Sequence, residues 1–401
     1  MKLRRIQKIG LFIFFFSINF EVWDPLNTGY FSIAKFTGLL YFSTLIPQLQ
    51  FFLRTSGIKR FLNPLWIFFG ILTIVNLVNT NFVSSAIFDF SIFQNIILVI
   101  LLVNHSRKEP GILEWGMLAY GFGSIAFALL YYLGIGIEES GGGRIRMFGD
   151  NENVIGIRMC ISIIYLLFLI IKNPLKFSSK RFLFFIPVPI MFSLLLATGS
   201  RVGFLSFALC FILGVFLIKT KRIYIRIFIL GIGVVIGIYI WNYVLLTGTL
   251  YERLLSSAQS EDLSGRDEIW KSIFPLIRYH PLFGVGTTGY NLYCYTVFGR
   301  FVSPHNVILE ILCYTGIAGL SAYLYFFYRI SRISYAKFKY SGSIIQLLLL
   351  IPILGSIVSG QILLTKIGWV LYAFVIGKSS VFKAHLKKIK QVKRLPSMIN
   401  R

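Results

Sequence analysis

Apolar runs close to the length of a membrane helix alternate with short polar segments along almost the whole chain. A bilayer's hydrocarbon core takes about 20 helical residues to cross. On that measure the runs at 9–23, 31–53, 64–79, 87–104, 111–136, 153–171, 182–198, 202–218, 223–246, 304–328, 343–361 and 365–382 predict about twelve spanning helices. One long polar island, Leu250 to Asn306, separates the ninth run from the tenth. The expected organisation is helices 1–9 in residues 1–246, a large extracytoplasmic loop at 247–303, helices 10–12 in 304–382 and a basic tail at 383–401. The first run follows Met1-Lys-Leu-Arg-Arg and lacks a small-x-small cleavage pattern, so it reads as an uncleaved anchor.

Composition agrees with an all-α polytopic membrane protein. The 401 residues are 56% hydrophobic and 14% charged, with a mean hydropathy of +0.75. A soluble domain could not bury that much apolar surface. Cys160, Cys210, Cys294 and Cys313 show no C-x-x-C spacing, which points away from a disulfide framework or a zinc site. No D-x-D pair or metal-ligand spacing occurs, so neither a metal nor another cofactor is expected.

Charge sets the expected topology. With both termini in the cytoplasm, segments 1–8, 54–63, 105–110, 172–181, 219–222, 329–342 and the tail, with adjoining helix ends, hold 29 of the 40 Lys and Arg residues. The net charge of +25 is then a cytoplasmic coat facing anionic lipid, and nucleic acid is not an expected partner. On the outer face arginine outnumbers lysine, as Arg144, Arg146, Arg158, Arg201, Arg253, Arg266, Arg278 and Arg300. Guanidinium is the better bidentate partner for phosphate. The competing reading pairs these arginines with outer acids such as Glu261, Asp267 and Glu268.

Three sets of residues carry a family resemblance. Gly143 to Asn153 reads G-R-I-R-M-F-G-D-N-E-N, and Ala197 to Phe204 reads A-T-G-S-R-V-G-F. The island and its exit supply Ser264 to Trp270 (S-G-R-D-E-I-W), His280 to Gly286 (H-P-L-F-G-V-G) and Ser303 to Asn306 (S-P-H-N). Over roughly 140–320 the chain resembles the O-antigen ligase and polymerase superfamily of bacterial lipid-linked glycan assembly. Two departures are Glu152, where the family usually has proline, and Tyr314-Thr315-Gly316, where many members carry an acid before the glycine.

The resemblance implies a GT-C-like fold in the bacterial inner membrane and a metal-independent, inverting glycosyltransferase working at the outer face. The implied donor is a polyprenyl-diphosphate-linked glycan and the acceptor a sugar hydroxyl on a lipid-linked repeat unit, with a chain-length regulator as a further partner. Arg201 and Arg266 correspond to the family's phosphate-binding arginines. There they would stabilise charge on the departing diphosphate, against snorkelling for Arg201 or a local salt bridge for Arg266. His305, at the outer start of a helix, is the candidate base, because an imidazole titrates near neutral pH; helix capping is its competing role. Asn306 either orients that ring or binds sugar, and Ser303 is a candidate for the helix cap.

Other residues read less specifically. Trp270 either stacks on sugar or anchors an amphipathic loop helix, Gly265 to Tyr279. His280 reads as structural, with substrate contact the alternative. Arg144, Arg146 and Asn153, beside the glycines at 141–143, either touch substrate or belong to a hydrated flexible loop. Glu310 lies roughly 140° around the helix from His305 and is given no catalytic role. Gly284, Gly286 and Gly289 spell G-x-G-x-x-G, but between membrane spans this is a turn rather than a dinucleotide site. Polymerisation of repeat units is the leading function. Ligation to lipid A-core is the alternative within the family, and a lipid-linked sugar transporter or a non-catalytic assembly partner are the alternatives outside it. A transporter would be expected to show central polar residues and internal repeats; the polar residues here gather at one face, and no repeat is evident.

Overall fold

The computed structural model describes residues 2–26, 32–79, 82–171, 183–217, 266–359 and 362–377, with scattered positions between 224 and 251. The described residues are mostly helical. Among the described residues, five helices are long and apolar enough to cross a membrane, at Lys59–Val78, Ser85–Lys108, Ile112–Tyr132, Glu152–Ile170 and Val307–Ser341. Shorter apolar helices occupy Val188–Ala197, Arg201–Leu217, Ile345–Ser359 and Lys366–Gly377. The expected ninth span and the first part of the loop lie largely, and the basic tail lies wholly, outside the described residues.

In chain order the helices are α1 (Lys2–Ser17), α2 (Ile33–Leu45), α3 (Lys59–Asn79), α4 (Phe82–Lys108) and α5 (Ile112–Tyr132). A hairpin follows, β1 (Ile137–Ser140) and β2 (Arg144–Met147), then α6 (Glu152–Ile171), α7 (Val188–Ala197) and α8 (Arg201–Leu217). Beyond the island's first part come α9 (Arg266–Tyr279), α10 (Gly286–Phe298), α11 (Val307–Ser341) and α12 (Leu350–Ser359), with α13 at Lys366–Gly377.

Helix α6 is the hub. It packs on α5, α7, α8 and α12, and 83% of its apolar window is buried inside the protein. In a bilayer, helices associate through close packing and polar contacts, because lipid is as apolar as leucine. Gly203 supplies that closeness: a Cβ there would stand 2.8 Å from the Gly156 carbonyl carbon. The crossing holds the α7–α8 turn against the start of α6.

The two ends of this bundle differ. At one end Glu109 accepts from Arg4 at 2.9 Å and lies 3.1 Å from Lys8, so segments 1–8 and 105–110 meet. From there α5 rises to the hairpin. Its 21 residues span about 30 Å. At the hairpin end Arg158, 2% exposed, pairs with Asp150 and with Glu21 at 3.3 Å. Glu21 in turn lies 2.9 Å from Lys366 Nζ and accepts from the Lys366 N–H. Arg158 therefore ties the exit of α1, the hairpin, α6 and α13 together, with acids other than those the sequence suggested.

Several segments differ from expectation for local reasons. The glycine-rich stretch expected to be a flexible loop is a hairpin with Glu138 opposite Arg146, a favourable cross-strand charge pair. Gly142 and Gly143 close it at φ 74° and 69°, a left-handed backbone that costs glycine nothing. The second expected span shortens because Pro47 sits in a 3-10 turn after α2. The tenth lengthens into a 35-residue helix, α11, that breaks at Gly316 (φ 59°, ψ −162°).

That break is bridged by the loop after α9. Ile317 N–H donates to Pro281 O at 2.8 Å and Ala318 N–H to Leu282 O at 3.1 Å, while Val285 N–H donates to Cys313 O at 2.8 Å. Main-chain groups released inside a membrane helix must be satisfied within the protein, and H-P-L-F-G-V-G does this. A Cβ on Gly284 would lie 2.5 Å from the Cys313 oxygen, so only glycine allows the approach. Of the G-x-G-x-x-G spelling, expected to be a turn, only Gly284 lies in the loop; Gly286 opens α10 and Gly289 lies within it, a helix the sequence did not announce. Its start is fixed by Thr287 N–H donating to Asn76 Oδ1 at 2.8 Å.

Candidate functional site

Of the candidate residues, Arg144, Arg146, Arg201, Arg266 and His305 gather where the hairpin, the α7–α8 turn, the start of α9 and the start of α11 approach one another, and His280, at the far end of α9, is not placed with them. Arg201 opens α8. Gly199 (φ 58°) makes the turn before it, and the Ser200 hydroxyl caps the helix by accepting from Gly203 N–H at 3.1 Å. The side chain of Arg144, on β2, holds this turn from outside: its Nε donates to the Thr198 carbonyl at 3.0 Å and its Nη2 to Asn153 Oδ1 at 3.1 Å.

Glu152 lies beneath. It is 1% exposed, accepts from Arg146 Nε at 2.8 Å and approaches Arg144 Nη1 at 3.6 Å. Burial lowers the basicity of Arg144, Glu152 opposes this, and Arg146, Arg201 and Arg266 each lower it further. Four of the arginines named from sequence thus share one electrostatic neighbourhood.

His305 enters it on the Val302–Asn306 segment before α11. Helix α9, amphipathic as expected, buries Ile273 and Leu276 and turns Trp270 so that its indole N–H donates to Pro304 O at 2.9 Å. From α10, the Tyr290 hydroxyl donates to Val302 O at 2.8 Å. His305 itself has φ 50°, a left-handed conformation uncommon outside glycine. Its N–H donates to Ser303 Oγ at 3.1 Å, and that hydroxyl donates to Glu310 Oε1 at 2.9 Å. Among the described residues its Nδ1 is buried without a hydrogen-bond partner. Burial and then Arg266 push the imidazole below its ordinary value of 6.5, against a weaker upward pull from Glu152.

Some expectations resolve differently. Asn306 caps α11, its Oδ1 accepting from Ile308 and Leu309 N–H at 2.9 and 3.4 Å, so the cap is Asn306 rather than Ser303. The Trp270 indole nitrogen is committed to the protein. His280 is exposed, and its N–H bonds back to Leu276 O at 3.0 Å as α9 ends. Arg158, grouped with the outer arginines, is a buried structural cation. The sequence reading missed Glu152 as an arginine partner, and missed Ser303–Glu310 because the link runs through a turn rather than along one helix face. The four cysteines are free and buried.

A family model described as O-antigen ligase matches residues 186–324. That match supports the O-antigen ligase/polymerase superfamily. It spans Arg201, Arg266, Trp270, His280, His305 and Asn306, while Arg144, Arg146, Glu152 and Asn153 fall before it. The superfamily points to glycosyl transfer with lipid-linked glycan substrates in general. With the apolar helices, it describes a multi-pass membrane protein. No curated protein matches the chain.

Proposed function

We propose that this chain polymerises polyprenyl-diphosphate-linked oligosaccharide repeat units at the outer face of the bacterial inner membrane. The observation that carries the reading is the meeting of a neutral-leaning imidazole, His305, with Arg266 and the Arg144–Arg201 group. Arg201 and Arg266 bind the donor diphosphate and offset its charge as it leaves. His305 accepts the proton of the attacking sugar hydroxyl. The hydroxyl oxygen displaces the diphosphate at the anomeric carbon, so the configuration inverts. No metal takes part in this scheme. Each charge-assisted hydrogen bond to the diphosphate is worth about 1.5–3 kcal/mol.

In this reading the chain is GT-C-like, with about twelve spans divided as 1–246, 247–303, 304–382 and 383–401, both termini cytoplasmic, and the large loop between spans nine and ten. Arg146, Asn153, His280 and the face of Trp270 remain available to sugars, and a chain-length regulator is the expected protein partner. A second reading, ligation of glycan to lipid A-core, is favoured by the description of the matched family.

Reconstitution in bilayers with one lipid-diphosphate repeat unit tests the proposal. A ladder of longer glycans, lost in His305→Ala, is expected. Transfer only after lipid A-core is supplied would make the protein a ligase. Absence of both, with competent substrate, would overturn glycosyl transfer.

A further inference from the structure

Glu152 is the residue of this neighbourhood that no motif assigns. A carboxylate taken out of water costs several kcal/mol unless it is paired, and Glu152 is 1% exposed. Both of its oxygens face guanidiniums: Oε1 accepts from Arg146 Nε at 2.8 Å, and Oε2 lies 3.6 Å from Arg144 Nη1. Arg144 passes the constraint on, because its Nε donates to Thr198 O at 3.0 Å, at the head of the turn that ends in Arg201. A proline at position 152, the residue usual in the resembled family, would lack the carboxylate and leave Arg144 and Arg146 without this partner.

We propose that Glu152 is a positioning residue of the site: its carboxylate fixes Arg144 and, through the Arg144–Thr198 bond, the turn that presents Arg201. It has a second effect at the histidine. The charged groups facing His305 are Arg266 from α9 and Glu152 from α6, with Glu310 of α11 reached through Ser303. Arg266 disfavours the imidazolium and Glu152 favours it. The carboxylate therefore opposes in part the lowering of the imidazole by burial and by Arg266. The inference rests on the glycosyl-transfer reading for its kinetic consequences, but not for its structural ones.

The test uses the full chain in bilayers and three variants, with His305 titrated by NMR of ring-labelled histidine, assigned with His305→Asn. Glu152→Gln keeps the shape and removes the charge. The His305 midpoint should fall, the acid limb of turnover should move to lower pH with it, and KM for the lipid-diphosphate donor should rise about tenfold. Glu152→Asp should recover part of both effects. Arg144→Lys keeps a positive charge but loses the fork to Thr198, so KM should rise while the acid limb stays in place.

An unchanged His305 midpoint together with unchanged KM in a folded Glu152→Gln protein would overturn the proposal. If Glu152→Gln does not fold, Arg144→Lys decides the positioning arm, and an unchanged KM there overturns it. Wild-type protein inactive on every lipid-linked glycan would remove the glycosyl-transfer reading, while the histidine titration would still decide whether Glu152 acts on His305.

Discussion

The indole N–H of Trp270 donates to the carbonyl of Pro304 at 2.9 Å, one residue before His305. The bond joins α9 to the turn that carries the candidate base. Together with Ser303 Oγ accepting from His305 N–H, it holds a non-glycine residue at φ 50°. Backbone strain of this kind costs about 1–3 kcal/mol and persists only where neighbours enforce it.

Trp270→Phe keeps the ring and loses the hydrogen bond. Turnover should fall roughly three- to tenfold, the kinetic equivalent of one net hydrogen bond. Donor KM should change little. Steady-state kinetics on a lipid-linked repeat unit, beside a thermal melt showing an intact fold, would check this.

In the proposed scheme His305 acts as base only when neutral. Burial and Arg266 hold its pKa below 6.5, so the neutral form prevails through the neutral range and turnover should fall only on the acid side of that value. Removing Arg266 removes a downward influence. In Arg266→Gln the acid limb should therefore move to higher pH, opposite to its movement in Glu152→Gln. A pH–rate profile of residual activity in each variant reads the sign directly.

Gly316 sits at φ 59° where α11 breaks, and an added Cβ would run into the main chain of Leu282 and Phe283. Gly316→Ala should destabilise the protein by at least about 1–3 kcal/mol through strain alone, with the clash added to it. Gly134 also has positive φ, at 72°, but has nothing near its missing Cβ. Gly134→Ala should therefore cost less. Thermal unfolding of the two variants in one detergent separates clash from strain.

Arg158 is 2% exposed and faces Asp150 and Glu21. Arg158→Met strands the Asp150 carboxylate, while Glu21 keeps Lys366 as its partner, and should cost about 3–5 kcal/mol. Adding Asp150→Asn to Arg158→Met should recover much of that loss, whereas a further Glu21→Gln should give part of it back by taking the carboxylate from Lys366. A melt series across single, double and triple variants would show the coupling.

The membrane class, the positions of most of the described helices and the amphipathic α9 were legible in the sequence, and Arg201, Arg266 and His305 could be named there as candidates. Each depends on information local to a segment: apolar run length, helical periodicity, or a short motif. Pairings across the fold were not legible. Arg158 looked like an exposed outer arginine because its partners lie 8 and 137 residues away, and Glu152 looked like a departure from a motif until Arg144 and Arg146 were seen against it. Likewise the break at Gly316 and the loop at 281–285 have meaning only together, since each satisfies main-chain groups the other leaves open. The sequence by itself determined which segments leave water and which residues carry charge. Only the tertiary structure decided which charges meet, because in a low-dielectric interior a buried ion is stable only beside a partner, and that partner is chosen by packing rather than by distance along the chain.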